Sequence, residues 1–231
     1  MSRNVRSNEI YEKIKEMILS RELLQGDRIP EERIAESLEG SRTPVREAFR
    51  LLAAEGLVEI SPRHGATVAV YDESAISEIG AVRLSQDILA ARLAIQYGSY
   101  QDLLDLQQKV AECEDCARKG DIPGFIKADA AFHLAIAALS RNQVLIENQN
   151  RLYQIIRLVQ ASRYLDPEKS LQDVRHHRDI LKGLIMRDFK LTCDSICDHL
   201  QDYYMIDPLV VSAFRAAGGA AENPLSLLSA K

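Results

Sequence analysis

The stretch that decides the fold of the N-terminal part is Ser41-Arg42-Thr43-Pro44-Val45-Arg46-Glu47-Ala48-Phe49-Arg50. Thr43 is a good N-cap residue, and Pro44 suits the first helical position, where no backbone N–H is needed. The spacing beyond the cap predicts a buried apolar stripe made of Val45, Ala48, Phe49 and Leu52. A second, basic face carries three arginines spaced by four: Arg42, Arg46 and Arg50.

The basic face allows two interpretations. Guanidinium groups along one face match the phosphate oxygens and guanine edges of a DNA groove. Alternatively, the helix is an ordinary solvated one whose arginines pair with Glu47 and Glu55. The helix alone leaves both interpretations open, and its surroundings favour the first.

The sequence around this helix resembles the winged helix-turn-helix of the GntR family of bacterial transcription regulators. The stretches that carry the resemblance are Gly26-Asp27-Arg28-Ile29, Ile34-Ala35-Glu36, Ser41 to Ala48, Glu55-Gly56-Leu57-Val58 and Arg63-His64-Gly65-Ala66-Thr67-Val68. One departure is Glu39-Gly40, where family members usually carry Gly-Val. The resemblance implies a DNA-binding domain over residues 1–71 whose recognition helix runs to about Glu55.

Helices are expected over residues 8–22 and 31–38, before the recognition helix. Strands are expected at 57–61 and 67–70, joined by the hairpin tip Pro62-Arg63-His64-Gly65. That tip either contacts DNA in a minor groove or along the backbone, or it is an exposed turn. With the resemblance, the residues expected to contact DNA are Arg42, Thr43, Arg46, Arg50, Arg63, His64 and Gly65.

Composition describes an ordinary globular protein of 231 residues, with 46% hydrophobic residues, a net charge of -5 and 4 cysteines. No run of 18 apolar residues and no N-terminal signal sequence are visible, so we expect a cytoplasmic protein without a membrane partner. The acidic net charge argues against a broad nucleic-acid surface, but not against a local basic one. The Cys113-Glu114-Asp115-Cys116 pair lacks a second such pair on a turn, so a zinc or redox role is not expected.

After Tyr71 the pattern is entirely helical. About six helices are predicted, at 73–98, 100–119, 121–140, 143–165, 167–187 and 188–205. We therefore expect a mainly α protein: the winged helix-turn-helix, then an all-α bundle over residues 72–206, then a tail over 207–231 with one short helix near 209–216.

Histidines and a carboxylate recur on the apolar faces of these helices. Asp129 and His133 are four residues apart on one helix, and His177 and His199 lie on or beside the apolar stripes of two others. His176 is expected to face solvent. Inward imidazoles and a carboxylate are costly to bury unless they are satisfied, either by separate hydrogen bonds or by one divalent metal ion. The periodicity leaves both possibilities open.

Residues 73–205 resemble the all-helical FCD ligand-binding domain of the FadR-type branch of the same family. Its metal-binding members carry an Asp-x-x-x-His on one helix and a His on each of the last two helices. The resemblance implies that the metal ligands here are Asp129, His133, His177 and His199. The ion would be Zn, Ni, Mn or Fe.

Arg83 resembles an arginine of this family that faces the effector pocket, and a fixed guanidinium suits a small organic acid. The alternative is an ion pair with Asp87, four residues on. Asn142 resembles an effector-site asparagine, or caps the next helix. Together these features predict a non-enzymatic, dimeric regulator, with repression as the usual outcome, that binds a palindromic operator and responds to a metal ion and an acid. The alternatives are a pure metal sensor and a His₃Asp metalloenzyme.

Overall fold

A computed structural model of the chain describes residues 3–37, 42–61, 65–163 and 167–220. Within these residues the chain forms ten helices and three short strands. They group into two compact units. The first unit contains the described residues up to Tyr71 together with residues 151–163, and the second contains residues 72–150 and 167–220.

The first unit has the winged helix-turn-helix architecture that the sequence predicts. Its elements are α1 (Arg3–Leu19), β1 (Arg28–Ile29), α2 (Glu31–Ser37), α3 (Arg42–Ala54), β2 (Val58–Ser61) and β3 (Gly65–Val68). The strands form one antiparallel sheet in the order β1-β3-β2. The strand β1 was not predicted, because two residues are too few to show an alternating pattern.

The helix α3 differs from the prediction at its N-terminus. It begins at Arg42, so Thr43 lies in the first turn and is not the N-cap residue. Pro44 is still compatible with the helix, since the first turn needs no donor from it. Ser41, which precedes the helix, lies outside the described residues. The predicted apolar stripe is confirmed, because all four of its residues are buried.

The described residues beyond Tyr71 are helical. Their helices are α4 (Glu73–Tyr97), α5 (Tyr100–Lys119), α6 (Ile122–Leu139), α7 (Gln143–Arg163), α8 (Pro167–Met186), α9 (Phe189–Tyr204) and α10 (Pro208–Ala220). The six predicted helices are confirmed, and α10 is longer than the short helix expected there. The domain bounds 1–71, 72–206 and 207–231 stay a prediction.

Side-chain caps explain why the helix starts were predictable. Five polar residues each accept a hydrogen bond from a backbone N–H in the first turn of the helix that follows: Asp72, Ser99, Asp121, Asn142 and Asp188. Such caps satisfy donors that the helix itself leaves unbonded. For Asn142, this is the capping role that the sequence offered as one of two alternatives.

The helix α7 contributes to both units. Its residues up to Asn150 group with the second unit, and those from Arg151 group with the first. Leu158 is part of the apolar core that α1, α3 and the sheet build in the first unit. The first unit is therefore completed by a segment distant in sequence, and no local pattern indicates such a contribution.

Among the described residues, α6 is long and apolar enough to cross a membrane by length and composition alone. Half of its 18-residue window is buried inside the protein, however. Two of its ionisable residues, Asp129 and His133, are buried. These features are those of the core helix of a helical bundle.

Candidate functional site

The basic face of α3 is exposed, and two of its arginines form ion pairs with carboxylates of α2. Arg42 Nη2 lies 2.6 Å from Glu32 Oε1, and Arg46 Nε lies 2.8 Å from Glu31 Oε1. Both arginine side chains remain 63% exposed. Exposed ion pairs of this kind contribute about 0–1 kcal/mol, so a phosphate or a base edge can displace them at little cost.

The carboxylates that pair with α3 differ from those considered in the sequence. Glu31 and Glu32 belong to α2, whereas Glu55 accepts hydrogen bonds from Tyr11 and Lys15 of α1. The solvated-helix interpretation had offered Glu55 as a partner of the arginines, and the structure corrects that pairing. Spacing along one helix cannot reveal partners contributed by another helix.

A cleft of about 390 Å³ adjoins the basic face. Basic residues from β1 and α3 line it, together with the start of β3: Arg28, Arg46, Arg50 and Gly65. Thr43 is exposed, as Arg42, Arg46 and Arg50 are. Arg63 and His64 lie outside the described residues. Arg28 was not selected as a site residue from the sequence, although it stands within the quoted Gly26-Asp27-Arg28-Ile29 stretch.

A second group of functional side chains lies inside the helical unit. Asp129 and His133 extend from α6, His177 from α8 and His199 from α9, and all four are buried. One ligand atom of each lies within 4.8 Å of the ligand atoms of the other three. The structure therefore brings together all four residues that the sequence selected as metal ligands.

The four ligand atoms converge. His177 Nε2 lies 3.0 Å from Asp129 Oδ1, and His133 Nε2 lies 3.2 Å from His199 Nε2. The Nε2 atoms of His133 and His199 are 3.7 and 3.9 Å from Asp129 Oδ1. Donors about 2.0–2.2 Å from a shared first-row metal ion lie roughly 3.0–3.5 Å apart. The observed separations need only small shifts to match that spacing, so the residues fit a metal ion.

The protonation states also suit a metal. Burial alone would raise the pKa of Asp129, but the hydrogen bond from His177 and the charge of Arg83 hold that pKa well below its usual range. Burial lowers the pKa of His177, and burial together with His177 lowers the pKa of His199 well below its usual range. A charged carboxylate and neutral imidazoles are the forms that bind metal ions.

Two buried carboxylates face the outer nitrogens of this cluster. Asp87 Oδ2, from α4, lies 3.3 Å from His133 Nδ1, and Asp87 Oδ1 accepts a hydrogen bond from Gln149 Nε2 at 2.8 Å. Asp173 Oδ1 lies 3.6 Å from His199 Nδ1. Carboxylates in such places orient metal-binding histidines and select the tautomer that presents Nε2. The sequence indicated Asp87 only as a partner of Arg83, and Asp173 was not selected from it.

Arg83 is 1% exposed and lies beside the cluster. Its Nε is 3.3 Å from Asp87 Oδ2, and its Nη2 is 3.6 Å from Asp129 Oδ2. Its Nη1 donates to the hydroxyl of Tyr204 at 2.8 Å. The pairing with Asp87 is thus present, and the same guanidinium group borders the predicted metal ligands.

Comparisons with known proteins agree with this fold. A winged helix-turn-helix joined to a helical bundle defines a class of DNA-binding regulators. The chain belongs to the GntR family of bacterial regulatory proteins: residues 6–68 match that family, and residues 78–202 match the FCD domain of its FadR-type branch. The protein is therefore a transcriptional regulator with a DNA-binding domain and an FCD effector-binding domain.

Relatives of this class are similar over most of the chain. The HTH-type transcriptional regulator YdhC of Bacillus subtilis is 27% identical over 201 residues, which cover 84% of this chain and 90% of YdhC. McbR of Escherichia coli is 28% identical over 170 residues, which cover 72% of this chain and 76% of McbR. The solved structure of E. coli McbR/YncC has a TM-score of 0.74 at 22% identity and covers 93% of this chain and 99% of its own, which supports the fold.

Proposed function

We propose that this regulator is a cytoplasmic homodimer that represses transcription from a palindromic operator until an effector releases it. The helical domain binds a divalent metal ion through Asp129, His133, His177 and His199. A small organic acid binds next to the ion and to Arg83. The acid binds more tightly to one arrangement of the two DNA-reading domains than to the other. A ligand can shift an equilibrium only if its affinities for the two states differ.

The observation that carries the metal proposal is the convergence of three imidazole Nε2 atoms on one carboxylate oxygen inside the domain. Burying this set without an ion or a complete hydrogen-bond network is costly. Histidine and carboxylate ligands suit Zn, Ni, Mn and Fe equally well, so the ligand set does not distinguish these ions.

The acid proposal rests on the neighbourhood of Arg83. A metal ion with four protein ligands can still accept a carboxylate oxygen if it is six-coordinate. A guanidinium beside it can hold a second carboxylate or hydroxyl oxygen of the same molecule. Small hydroxy acids and sugar acids carry both groups on neighbouring carbons. An acid of this class would compete with Asp87 and Tyr204 for Arg83.

A second candidate function is a metal sensor in which the ion itself is the signal. The burial of Arg83, and its contacts with Asp87 and Tyr204, favour this alternative because Nε and Nη1 of the guanidinium already donate hydrogen bonds inside the protein. In that case Arg83 holds the carboxylates around the ion and contacts no ligand.

Titrating operator affinity in three series separates the two functions: metal-free protein, protein with metal, and protein with metal and a panel of hydroxy and sugar acids. An effector of the proposed kind changes the dissociation constant for DNA about 5–150-fold only when both metal and acid are present. A sensor responds to metal alone. If neither addition changes the affinity, both functions are wrong. Metal analysis and mass spectrometry of gently purified protein would identify the bound species.

A further inference from the structure

The four predicted ligands form a closed site. Asp129 and His177 are 0% exposed, His133 is 2% exposed and His199 is 4% exposed. A metal ion must nevertheless enter and leave, and a credible metal site has an entry path. A hydrated divalent ion loses its water reluctantly, so such a path needs side chains that replace the water in steps.

A second set of side chains that could hold a metal ion lies on the other edge of His199. Asp173, His176 and His199 each offer a ligand atom within 4.8 Å of the other two. Asp173 and His176 are three residues apart on α8, so they lie on one face of that helix. The carboxylate of Asp173 faces Nδ1 of His199, whereas Nε2 of His199 faces the four-residue cluster.

His176 joins this second set to the surface. It is only partly buried, and its ring packs edge-on against the ring of His199, with 5.9 Å between centroids. Its Nδ1 is buried and has no hydrogen-bond partner among the described residues. An imidazole that carries such a nitrogen and lies close to a carboxylate and a second imidazole is suited to a metal ion.

We propose that Asp173, His176 and Nδ1 of His199 form an outer divalent-cation site, through which the ion passes to and from the buried cluster. The outer site is inferred from its own residues, whereas the passage of the ion rests on the proposed buried metal site. The ions it suits are those that accept mixed imidazole and carboxylate ligands, such as Zn²⁺.

His199 makes the two sites mutually exclusive. A neutral imidazole carries hydrogen on one nitrogen, so it binds an ion through only the other. While the ion is outside, Nδ1 is the ligand and Nε2 carries the hydrogen. When the ion moves inside, Nε2 becomes the ligand, its proton is released, and Nδ1 takes up a proton and faces Asp173. Asp173 then changes from a metal ligand into the acceptor that orients the ring.

The first test measures the rates of Zn²⁺ loading and of chelator-driven release with a chromophoric chelator, on the full chain. The variants are His176→Ala and, as a control on the same helix, Arg175→Ala, which removes an exposed side chain. Losing a ligand weakens the outer site about tenfold or more. We expect His176→Ala to slow loading and release by a similar factor and to leave the equilibrium dissociation constant unchanged. Arg175→Ala should match the wild type.

The second test removes two ligands of the buried site. The double variant His133→Ala/His177→Ala keeps all three outer ligands, and circular dichroism checks that it is folded. We expect it to bind one Zn²⁺ more weakly than the wild type, and adding His176→Ala should remove that binding.

The outcomes separate this proposal from the proposed function. If the wild type binds no Zn²⁺, both are wrong. If it binds Zn²⁺ tightly but His176→Ala loads and releases at wild-type rates, the passage of the ion through the outer site is overturned and the buried site stands. Loss of all Zn²⁺ binding in the folded double variant overturns the outer site itself.

Discussion

We predict that Arg46 pairs with α2 in the free protein and contacts DNA in the complex. Its Nε donates to Glu31, and this hydrogen bond uses neither of the two terminal nitrogens of the guanidinium. Two parallel donors match the O6 and N7 acceptors of guanine. We therefore expect Arg46→Ala to weaken operator binding by about 1–3 kcal/mol and to relax the preference at one base position.

Gel-shift or fluorescence titration against the operator and single-base variants measures this loss. Arg118→Ala, which removes an exposed arginine of α5, is the control for charge, and it should bind as the wild type does. Arg42→Ala distinguishes a base contact from a phosphate contact. Loss of a phosphate contact weakens binding to all sequences alike and reduces its salt dependence. Unchanged affinity in both α3 variants would mean that α3 is not the recognition helix.

His177 permits a test of the buried metal site through stability. The four ligands come from three helices, so an ion bound to all of them links α6, α8 and α9. Free metal a hundredfold above its dissociation constant stabilises the folded protein by about 2.7 kcal/mol. His177→Ala should remove this stabilisation, and thermal unfolding with and without chelator would measure it.

His176→Ala is the matched control, because that residue lies outside the buried set. Its unfolding should still shift with chelator as that of the wild type does. The prediction fails if chelator leaves the unfolding temperature of metal-loaded wild type unchanged. If His176→Ala loses the stabilisation and His177→Ala keeps it, the ligand set has been assigned to the wrong face of α8.

How much of the site the sequence predicts depends on whether a residue's signal is local. Asp129 and His133 stand on an apolar face at helical spacing, so their inward direction could be read directly. Asp173 could not be placed, because its burial depends on His199 of another helix. The partners of Arg46 were missed for the same reason, since Glu31 belongs to α2. Pairing between helices is a tertiary property that spacing along one helix does not encode.

At the scale of the elements, helix starts were predictable and inter-helix packing was not. Asp72, Ser99 and Asp188 cap their own helices by bonds over three residues, so the signal lies within one short stretch. The contribution of α7 to the core of the first unit involves Leu158, about a hundred residues after the other members of that core. No periodicity within α7 identifies the surface that it covers.

Gly80 lies at a close approach of α4 to α9. A Cβ atom added there would lie 2.2 Å from Cβ of Tyr204, nearer than real side-chain atoms come. Alanine is favoured over glycine in a helix by about 1 kcal/mol, whereas overpacking of this kind costs about 1–3 kcal/mol. We expect Gly80→Ala to destabilise the protein in urea unfolding, because the two helices must separate.

The matched control for this packing effect is Gly219→Ala on α10. The nearest atom to an added Cβ is Lys190 Cε at 3.5 Å, an ordinary contact. Only helix propensity acts there, so this variant should be as stable as the wild type or slightly more stable. A Gly80→Ala protein that is no less stable than the wild type would show that α4 and α9 are not packed this closely.

At the scale of the whole molecule, we expect DNA recognition to require two copies of the chain. One winged domain contacts a short half-site, and its few phosphate and base contacts provide limited affinity. We expect sedimentation velocity to give a dimer at micromolar concentration, and operator binding to require two half-sites in inverted orientation. A monomer that binds a single half-site as tightly as the full operator would contradict the proposed symmetry.

Coupling between the two domains provides the last prediction, because thermodynamic linkage makes it reciprocal. If the metal ion with its acid changes the dissociation constant for DNA by a factor of about 5–150, saturating operator must change the apparent affinity for that ligand by the same factor. Calorimetric titration of the acid into metal-loaded protein, with and without operator, measures one direction, and DNA binding with and without acid measures the other. His177→Ala should abolish both effects and preserve basal DNA binding, since the reading domain contains none of the metal ligands. Arg46→Ala should preserve acid binding in the absence of operator, and a higher operator concentration should be needed to change the affinity for the acid by the same factor. An effect seen in one direction only at equilibrium would mean that the acid competes with DNA or acts on a different protein species.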